Sequence, residues 1–294
     1  MKKKILITGS EGLVGSSIIK FLSKKRFKLI KIDKKLNLKH QIEKDNFVDI
    51  LDSQRPDIII HTAAHPGGLS MQDPMQNTKI NLMGTFKIIN WCMQNKKKII
   101  FISSSAVYGD NNKKKLNEKM PLNPGTVYGI NKMASESYIT ELSKYNKFPW
   151  LIIRLFATYG HGHKPNLYQG IVNIILTQLN NGNILNIKGS LSRTRDLIYA
   201  DDAGKIISNL IEQNLNKKII NVGTGKSTEI KKLIEICLKF FPNNKYKIRI
   251  LQKTPGDPFS SVADISLLKK YIKNFKYTKL QDGISKTLKL IKKK

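Results

Sequence analysis

The sequence predicts an α/β protein, a doubly wound parallel sheet with a smaller α/β lobe interwoven at its C-terminal side. Three observations carry that prediction. Short, unbroken apolar runs alternate with helical patterns through the first half of the chain. A glycine-rich turn joins the first of these runs to the first helix. After Gly160 the regular alternation stops, and isolated strands separate the remaining helices.

In chain order, Lys4 to Thr8 reads as the first strand and Leu13 to Ser23 as the helix after it. Leu29 to Ile32 is the second strand, ending at Asp33. Ile58 to His61 is the third, led in by Pro56-Asp57. Pro74 to Gln94 has helical spacing, Ile99 to Ser103 is a fourth strand, Tyr128 to Tyr145 a helix and Trp150 to Arg154 a fifth strand. A run such as Ile58-Ile59-Ile60, apolar at every position, suits a strand covered on both faces. Beyond Gly160, helices are expected at Asp201 to Gln213 and Thr228 to Phe240. Isolated strands are expected at Ile184 to Lys188, Ile219 to Val222 and Tyr246 to Leu251. The division this suggests is a sheet domain over 1–160 and a lobe over 161–294, with the chain crossing back to the sheet. The lobe should close over the C-terminal edge of the strands, where open α/β sheets bind ligands.

Composition narrows the class. No apolar run approaches the roughly 18 residues that span a bilayer, and the apolar stretch after Met1-Lys-Lys-Lys breaks at Thr8-Gly9, too soon for an export signal. Cys92 and Cys237 lack any pairing or metal-site spacing, which points to a reducing cytoplasm. Lys and Arg number 52 against 21 acids, a formal net charge of +31. Such a charge attracts polyanions, and a non-catalytic nucleic-acid-binding protein is the rival reading from another class. The lysine runs (Lys96 to Lys98, Lys113 to Lys115, Lys292 to Lys294) sit at element ends without interleaved aromatics, which favours a surface composition bias and no nucleic-acid partner.

Two motifs carry chemistry. Thr8-Gly9-Ser10-Glu11-Gly12-Leu13-Val14-Gly15 lies between strand and helix, where glycines permit a tight turn, backbone approach to a pyrophosphate and close helix packing. Asp33 follows about twenty residues later, placed to accept hydrogen bonds from an adenosine ribose. This is the signature of a Rossmann dinucleotide site. The carboxylate favours NAD over NADP, while Lys34 and Lys35 keep NADP open. In Tyr128-Gly-Ile-Asn-Lys132, phenol and amine stand four apart on one helix face. A phenol has a pKa near 10, and a neighbouring ammonium together with a positive nicotinamide ring lowers it towards use as a proton carrier. Ser104, closing the fourth strand, is placed to hydrogen-bond the same substrate oxygen.

With these residues in view, the chain resembles the extended branch of the short-chain dehydrogenases/reductases, the nucleotide-sugar epimerase/dehydratase family. The likeness runs through Thr8 to Gly15, Asp49-Ile50, His61-Thr-Ala-Ala64, Asn81-Leu-Met-Gly-Thr85 and Ser103-Ser-Ser-Ala-Val-Tyr-Gly109. It continues through Tyr128 to Lys132, Arg195-Asp-Leu-Ile-Tyr-Ala-Asp-Asp202, Asn221-Val-Gly-Thr-Gly225 and Pro255-Gly-Asp257. The resemblance implies catalysis by Ser104, Tyr128 and Lys132. It implies NAD contacts from Gly9, Gly12, Leu13, Val14, Gly15, Asp33, Asp49, Ile50 (the adenine pair), Ala63, Ala64, His65, Asn81, Tyr128, Lys132 and Phe156. Ser104, Ser105, Arg195 and Asp257 are implied as substrate contacts, Arg195 at a nucleotide diphosphate and Asp257 near its ribose. A structural ion pair of Arg195 with Asp196 or Asp202 is the alternative. No metal is implied, and a homodimer built on the helix of Tyr128 is.

The family's 4,6-dehydratases carry an Asp-Glu pair where this chain has Ser105 and Ala106, so that reaction is disfavoured. What remains is an epimerase of the UDP-glucose 4-epimerase kind, working through transient oxidation of a sugar hydroxyl, or a 4-reductase that consumes NADPH. Ala157 and Thr254 stand where UDP-sugar epimerases usually carry Asn and Arg, which leaves CDP-, GDP- and dTDP-sugars open. His65, in His65-Pro-Gly-Gly68, falls where the third strand enters the site. His161 and His163 read as part of a mobile loop without a third metal ligand.

Overall fold

The computed structural model describes residues 2–111, 115–160, 169–242 and 245–292. His161 and His163 therefore lie outside the described residues. The chain begins with β1 (Lys3–Thr8), α1 (Leu13–Phe21), β2 (Phe27–Ile32), α2 (Phe47–Gln54) and β3 (Ile58–His61). Next come α3 (Pro74–Thr78), α4 (Thr85–Gln94), β4 (Lys98–Ser104), α5 (Val127–Asn146), β5 (Trp150–Leu155), β6 (Ala157–Tyr159), α6 (Ile171–Asn181) and β7 (Ile184–Lys188). They are followed by β8 (Thr194–Arg195), β9 (Leu197–Tyr199), α7 (Ala200–Glu212), β10 (Lys218–Val222), β11 (Thr228–Glu229) and α8 (Ile230–Leu238). The last elements are β12 (Lys247–Leu251), β13 (Ser260–Ser261), α9 (Ser266–Tyr271) and α10 (Leu280–Lys292).

Six strands form one parallel sheet in the order β10-β5-β4-β3-β1-β2. Register explains the unbroken apolar runs. Ile7 lies opposite Ile60, Ile60 opposite Ile100, and Ile100 opposite Leu151, all on one face. That face packs on Ile18 of α1 and Ile206, Ile207 and Leu210 of α7. The alternate residues Leu6, Ile59, Ile99, Phe101 and Ile152 point the other way, onto Phe47 of α2, Ile88 of α4 and Ile139 of α5. Burying such a side chain contributes roughly 1.5–3 kcal/mol, so neither face tolerates a polar run.

Three elements differ from expectation, the simplest being Thr228–Glu229, read as the start of a helix, which is strand β11 ahead of α8. Ile219–Val222, read as an isolated strand, is part of β10, the sheet's edge strand beside β5. It is preceded by α7, which covers α1, with the Ser208 hydroxyl donating to Ile18 O at 3.1 Å. The chain thus completes the sheet only after building much of the lobe. Pro74 to Gln94, read as one helix, is α3 and α4 joined by a π-helical turn over Lys79–Gly84. A wide turn of this type rotates a side chain out of the helical sequence. Here it delivers Asn81, whose Oδ1 accepts the His65 N–H at 2.7 Å while its Nδ2 donates to His65 O at 3.0 Å.

The lobe buries its own cluster, including Val172, Leu176, Leu185, Leu233 and Ile284. Among the described residues no helix is long and apolar enough to cross a membrane. Cys92 and Cys237 are buried, unpaired thiols.

Candidate active site

The glycine turn is built for close approach. Gly9 has φ +68°, and a Cβ there would lie 2.7 Å from Ala63 N; one on Gly15 would lie 2.3 Å from Gly9 O. Gly12 caps α1 without any side-chain hydrogen bond, and no acid sits in the first turn. Such a helix end offers free N–H groups and positive potential to an anion. Ser10 Oγ, buried in this turn, has no partner among the described residues. Asp33 is tied to the turn: Oδ2 accepts Glu11 N–H at 3.0 Å, and Oδ1 accepts Lys35 N–H at 2.9 Å. The Lys35 ammonium donates to Glu11 O at 3.0 Å. These features suit a dinucleotide, whose pyrophosphate would meet the end of α1 and whose adenosine ribose would meet Asp33.

Other predicted cofactor residues fall at varied depths. Leu13 is buried, Val14 packs against the sheet core, and Ala63 donates its N–H to Thr8 Oγ1 at 3.3 Å. Ala64 is exposed at the end of β3, and Phe156 is buried beside Val107, Tyr108 and Ala263. Asn81 is buried and clamps the His65 backbone. The ring of His65 lies near Asp73, Lys34 and Glu43, its Nδ1 is 3.1 Å from Asn77 Nδ2, and burial holds its pKa below the usual value. Asp49 and Ile50 are the expected adenine pair. They lie in α2, Asp49 exposed and Ile50 packed against the sheet, because the dipeptide belongs to a helix cover. Leu36 and Leu38, exposed in the turn after Asp33, supply apolar surface there, and the sequence reading passed over them.

The trio expected to be catalytic is gathered by β4 and α5. Thr126 caps α5, its hydroxyl accepting Gly129 N–H at 3.1 Å, which sets Tyr128 in the first turn and Lys132 one turn on. Ser104 ends β4 and accepts Ala106 N–H at 3.2 Å, with its hydroxyl close to the Tyr128 phenol. Lys132 is buried, donates to Ile102 O at 2.9 Å and lies 4.6 Å from the Phe101 ring and 5.7 Å from the Tyr128 ring. The expected lowering of the phenol by Lys132 is not what the protein alone provides. Burial pushes Tyr128 up to about 12, against the lowering effect of the nearby Ser104 hydroxyl. Burial likewise brings Lys132 down to about 7, against the attraction of Glu136. Desolvation outweighs the pair's mutual effect because the amine is turned towards a backbone carbonyl.

Behind Lys132 lies a buried network that sequence reading missed. Glu136 takes Arg154 Nη2 at 2.7 Å and Arg154 Nε at 3.1 Å, and Ser103 donates to its Oε1 at 2.5 Å. Arg154 Nη1 donates to the Tyr108 hydroxyl at 3.0 Å. An arginine inside the apolar run Trp150-Leu-Ile-Ile-Arg-Leu155 was the available signal.

Tyr128 also lines a cavity of about 540 Å3, walled by Ala106, Thr126 and Ala157 and by Arg193, Arg195, Thr254 and Asp257. Arg195 pairs with neither Asp196 nor Asp202. Asp196 accepts from Thr224, Gly225 and Ala263, and Asp202 from Thr278. Its partner is Asp257, whose Oδ1 accepts Arg195 Nη2 at 2.7 Å while Oδ2 accepts Arg193 Nη1. Asp257, expected near a ribose, is thus held by two guanidiniums. Arg193 was overlooked although it stands two residues before Arg195 on the same short strand approach. Ser105 is off the cavity wall, its hydroxyl 3.2 Å from Ser261 Oγ.

A parallel sheet with a dinucleotide cradle and a Ser–Tyr–Lys trio beside a cavity defines a Rossmann-fold enzyme of nicotinamide redox chemistry. The family model described as "NAD dependent epimerase/dehydratase family" matches residues 5–223. A putative UDP-glucose 4-epimerase of Methanocaldococcus jannaschii is 30% identical over 253 residues, covering 79% of this chain and 80% of the relative. A dTDP-4-dehydro-6-deoxyglucose reductase of Escherichia coli is 27% identical, covering 99% and 98%. The crystal structure of UDP-glucuronic acid 4-epimerase from Bacillus cereus, in complex with UDP-glucuronic acid and NAD, superposes with a TM-score of 0.88 at 25% identity, over 99% of both chains. The chain belongs to the NAD-dependent epimerase/dehydratase family, and NAD is its cofactor.

Proposed function

We propose that this enzyme is a nucleotide-sugar 4-epimerase that regenerates its NAD in every cycle. The observation that carries the reading is the placement of the Tyr128 phenol: close to the Ser104 hydroxyl, it lines a substrate-sized cavity whose neighbouring wall residue is Ala106. No carboxylate stands there to expel water from a sugar. Bound NAD supplies a hydride acceptor and donor and, when oxidised, a positive charge that lowers the phenol. The chain's residues handle the proton. Ser104 holds the sugar hydroxyl, Tyr128 takes its proton and gives it back after the ketone has presented its other face, and Lys132 stabilises the phenolate. In the cavity, Arg195 suits a diphosphate. In the cradle, Leu36 and Leu38 suit an adenine.

Relatives named as epimerases support this reading. The similarity to a reductase, together with Lys34 and Lys35 beside Asp33, supports the 4-reductase as second reading. A panel of nucleotide sugars, with products resolved by NMR, separates the two. The epimerase interconverts 4-epimers without net use of reduced cofactor, and Tyr128→Phe loses about 10²–10⁴-fold in rate while keeping bound NAD. Stoichiometric NADPH oxidation with a 4-keto-sugar would establish the reductase instead. A homodimer is part of the proposal: α4 and α5 pack side by side, and Met83, Ile130 and Tyr138 on the π-turn and α5 are exposed apolar groups. Sedimentation at micromolar concentration tests it.

A further inference from the structure

We propose that Arg193 is a positioning residue that keeps Asp257 from neutralising Arg195, and so preserves the positive charge with which the cavity holds a diphosphate. The inference rests on the nucleotide-sugar reading and deepens it.

Among the described residues Asp257 is the only carboxylate lining the cavity, against the cations Lys188, Arg193 and Arg195. Position 254, on the same wall, is an uncharged threonine. A lone aspartate beside a lone arginine closes into a two-pronged pair in which both oxygens and both forks are used. That pair would carry no net charge and would occupy the donors a diphosphate needs. The structure shows a different arrangement. Arg193 Nη1 donates to Oδ2, and Arg195 donates only a single bond to the carboxylate, from Nη2 to Oδ1. Two guanidiniums against one carboxylate leave the cluster positive.

Arg193 is built to do this and little else. Its Nη2 donates to Lys188 O and its Nε to Ser190 O at 3.0 Å, so the guanidinium is fixed by the backbone of the turn between β7 and β8. Gly189, at φ +75°, lies against it: a Cβ there would stand 3.3 Å from Arg193 Cζ. The side chain of Arg193 is 7% exposed and that of Asp257 is 28% exposed. The arginine is a buried anchor, and the aspartate is the group with freedom to turn. Without the anchor, Asp257 is free to rotate onto Arg195.

The test uses NAD-loaded protein and two probes, measured by titration calorimetry. One is the tightest binder among the diphosphates of uridine, cytidine, guanosine and thymidine. The other is inorganic pyrophosphate, which has no ribose. Arg193→Gln is expected to weaken both by roughly tenfold to a hundredfold, the scale of a lost charged hydrogen bond. Adding Asp257→Asn removes the charge that would collapse, so the double variant should regain about tenfold towards pyrophosphate. Asp257→Asn alone, which keeps the anchor, should bind pyrophosphate at least as tightly as the unmodified enzyme. Loss of turn packing alone would not be repaired at position 257. If the double variant binds no better than Arg193→Gln, or if Asp257→Asn weakens pyrophosphate, the proposal is overturned. If the unmodified enzyme binds none of the nucleoside diphosphates, the nucleotide-sugar reading itself falls.

Discussion

Glu136 offers the sharpest test of the machinery behind Lys132. Glu136→Gln keeps the shape but removes the charge that meets Arg154 through Nε and Nη2. Both side chains are 4% exposed, so solvent cannot take over. Arg154 would be left with the Tyr108 hydroxyl and Glu118 O as its partners. Breaking one side of a buried pair costs about 3–5 kcal/mol. Urea denaturation at pH 7, followed by tryptophan fluorescence, should show that loss. Arg154→Met in the same background removes the orphaned cation, and the double variant should be more stable than Glu136→Gln. A second readout concerns charge. Glu136 opposes the effect of burial on Lys132, so the single variant should bring Lys132 below about 7 and move the alkaline limb of activity to lower pH. Two results would refute the reasoning: a loss under about 1 kcal/mol, or a double variant no more stable than the single.

Two more outcomes follow from burial and from close packing. Lys132 titrates at about 7 in the folded protein against 10.5 for a free lysine, so between these values the unfolded chain holds more protons and stability rises with pH. Cofactor-stripped Lys132→Met should therefore exceed the unmodified protein in stability at pH 6, with the gain shrinking towards pH 10; a pH-independent difference in melting temperature would count against it. Gly15→Ala places a methyl 2.3 Å from Gly9 O, and the purified variant should carry far less NAD, measured by absorbance after acid release.

What could be read from the sequence was mostly local. The glycine turn, Asp33, Tyr128 and Lys132 keep their spacing because one turn or one helix fixes it. The strands showed as unbroken apolar runs because helices cover both faces. Misreadings arose where meaning depends on distant partners. Asp49-Ile50 matches a motif by letters, but Phe47 and Leu51 commit the segment to a helix against the sheet. Arg193 is defined by Asp257, 64 residues away, and β10 by its pairing with β5. The raised Tyr128 pKa comes from burial, which no spacing reveals.

The return of α7 and β10 to the sheet bears on how the chain is made. As it leaves the ribosome from its first residue, β5 waits with an open edge until Val222 has followed, and α1 lacks its α7 cover until Glu212 has emerged. Across that interval the face carrying Ile18, Ile153 and Leu155 lacks the cover of Ile206, Ile207 and Leu210, so the nascent chain leaves part of it open for nearly seventy residues beyond β5. Completion of the sheet is therefore a late event in synthesis, and that is when chaperones are expected to find this protein.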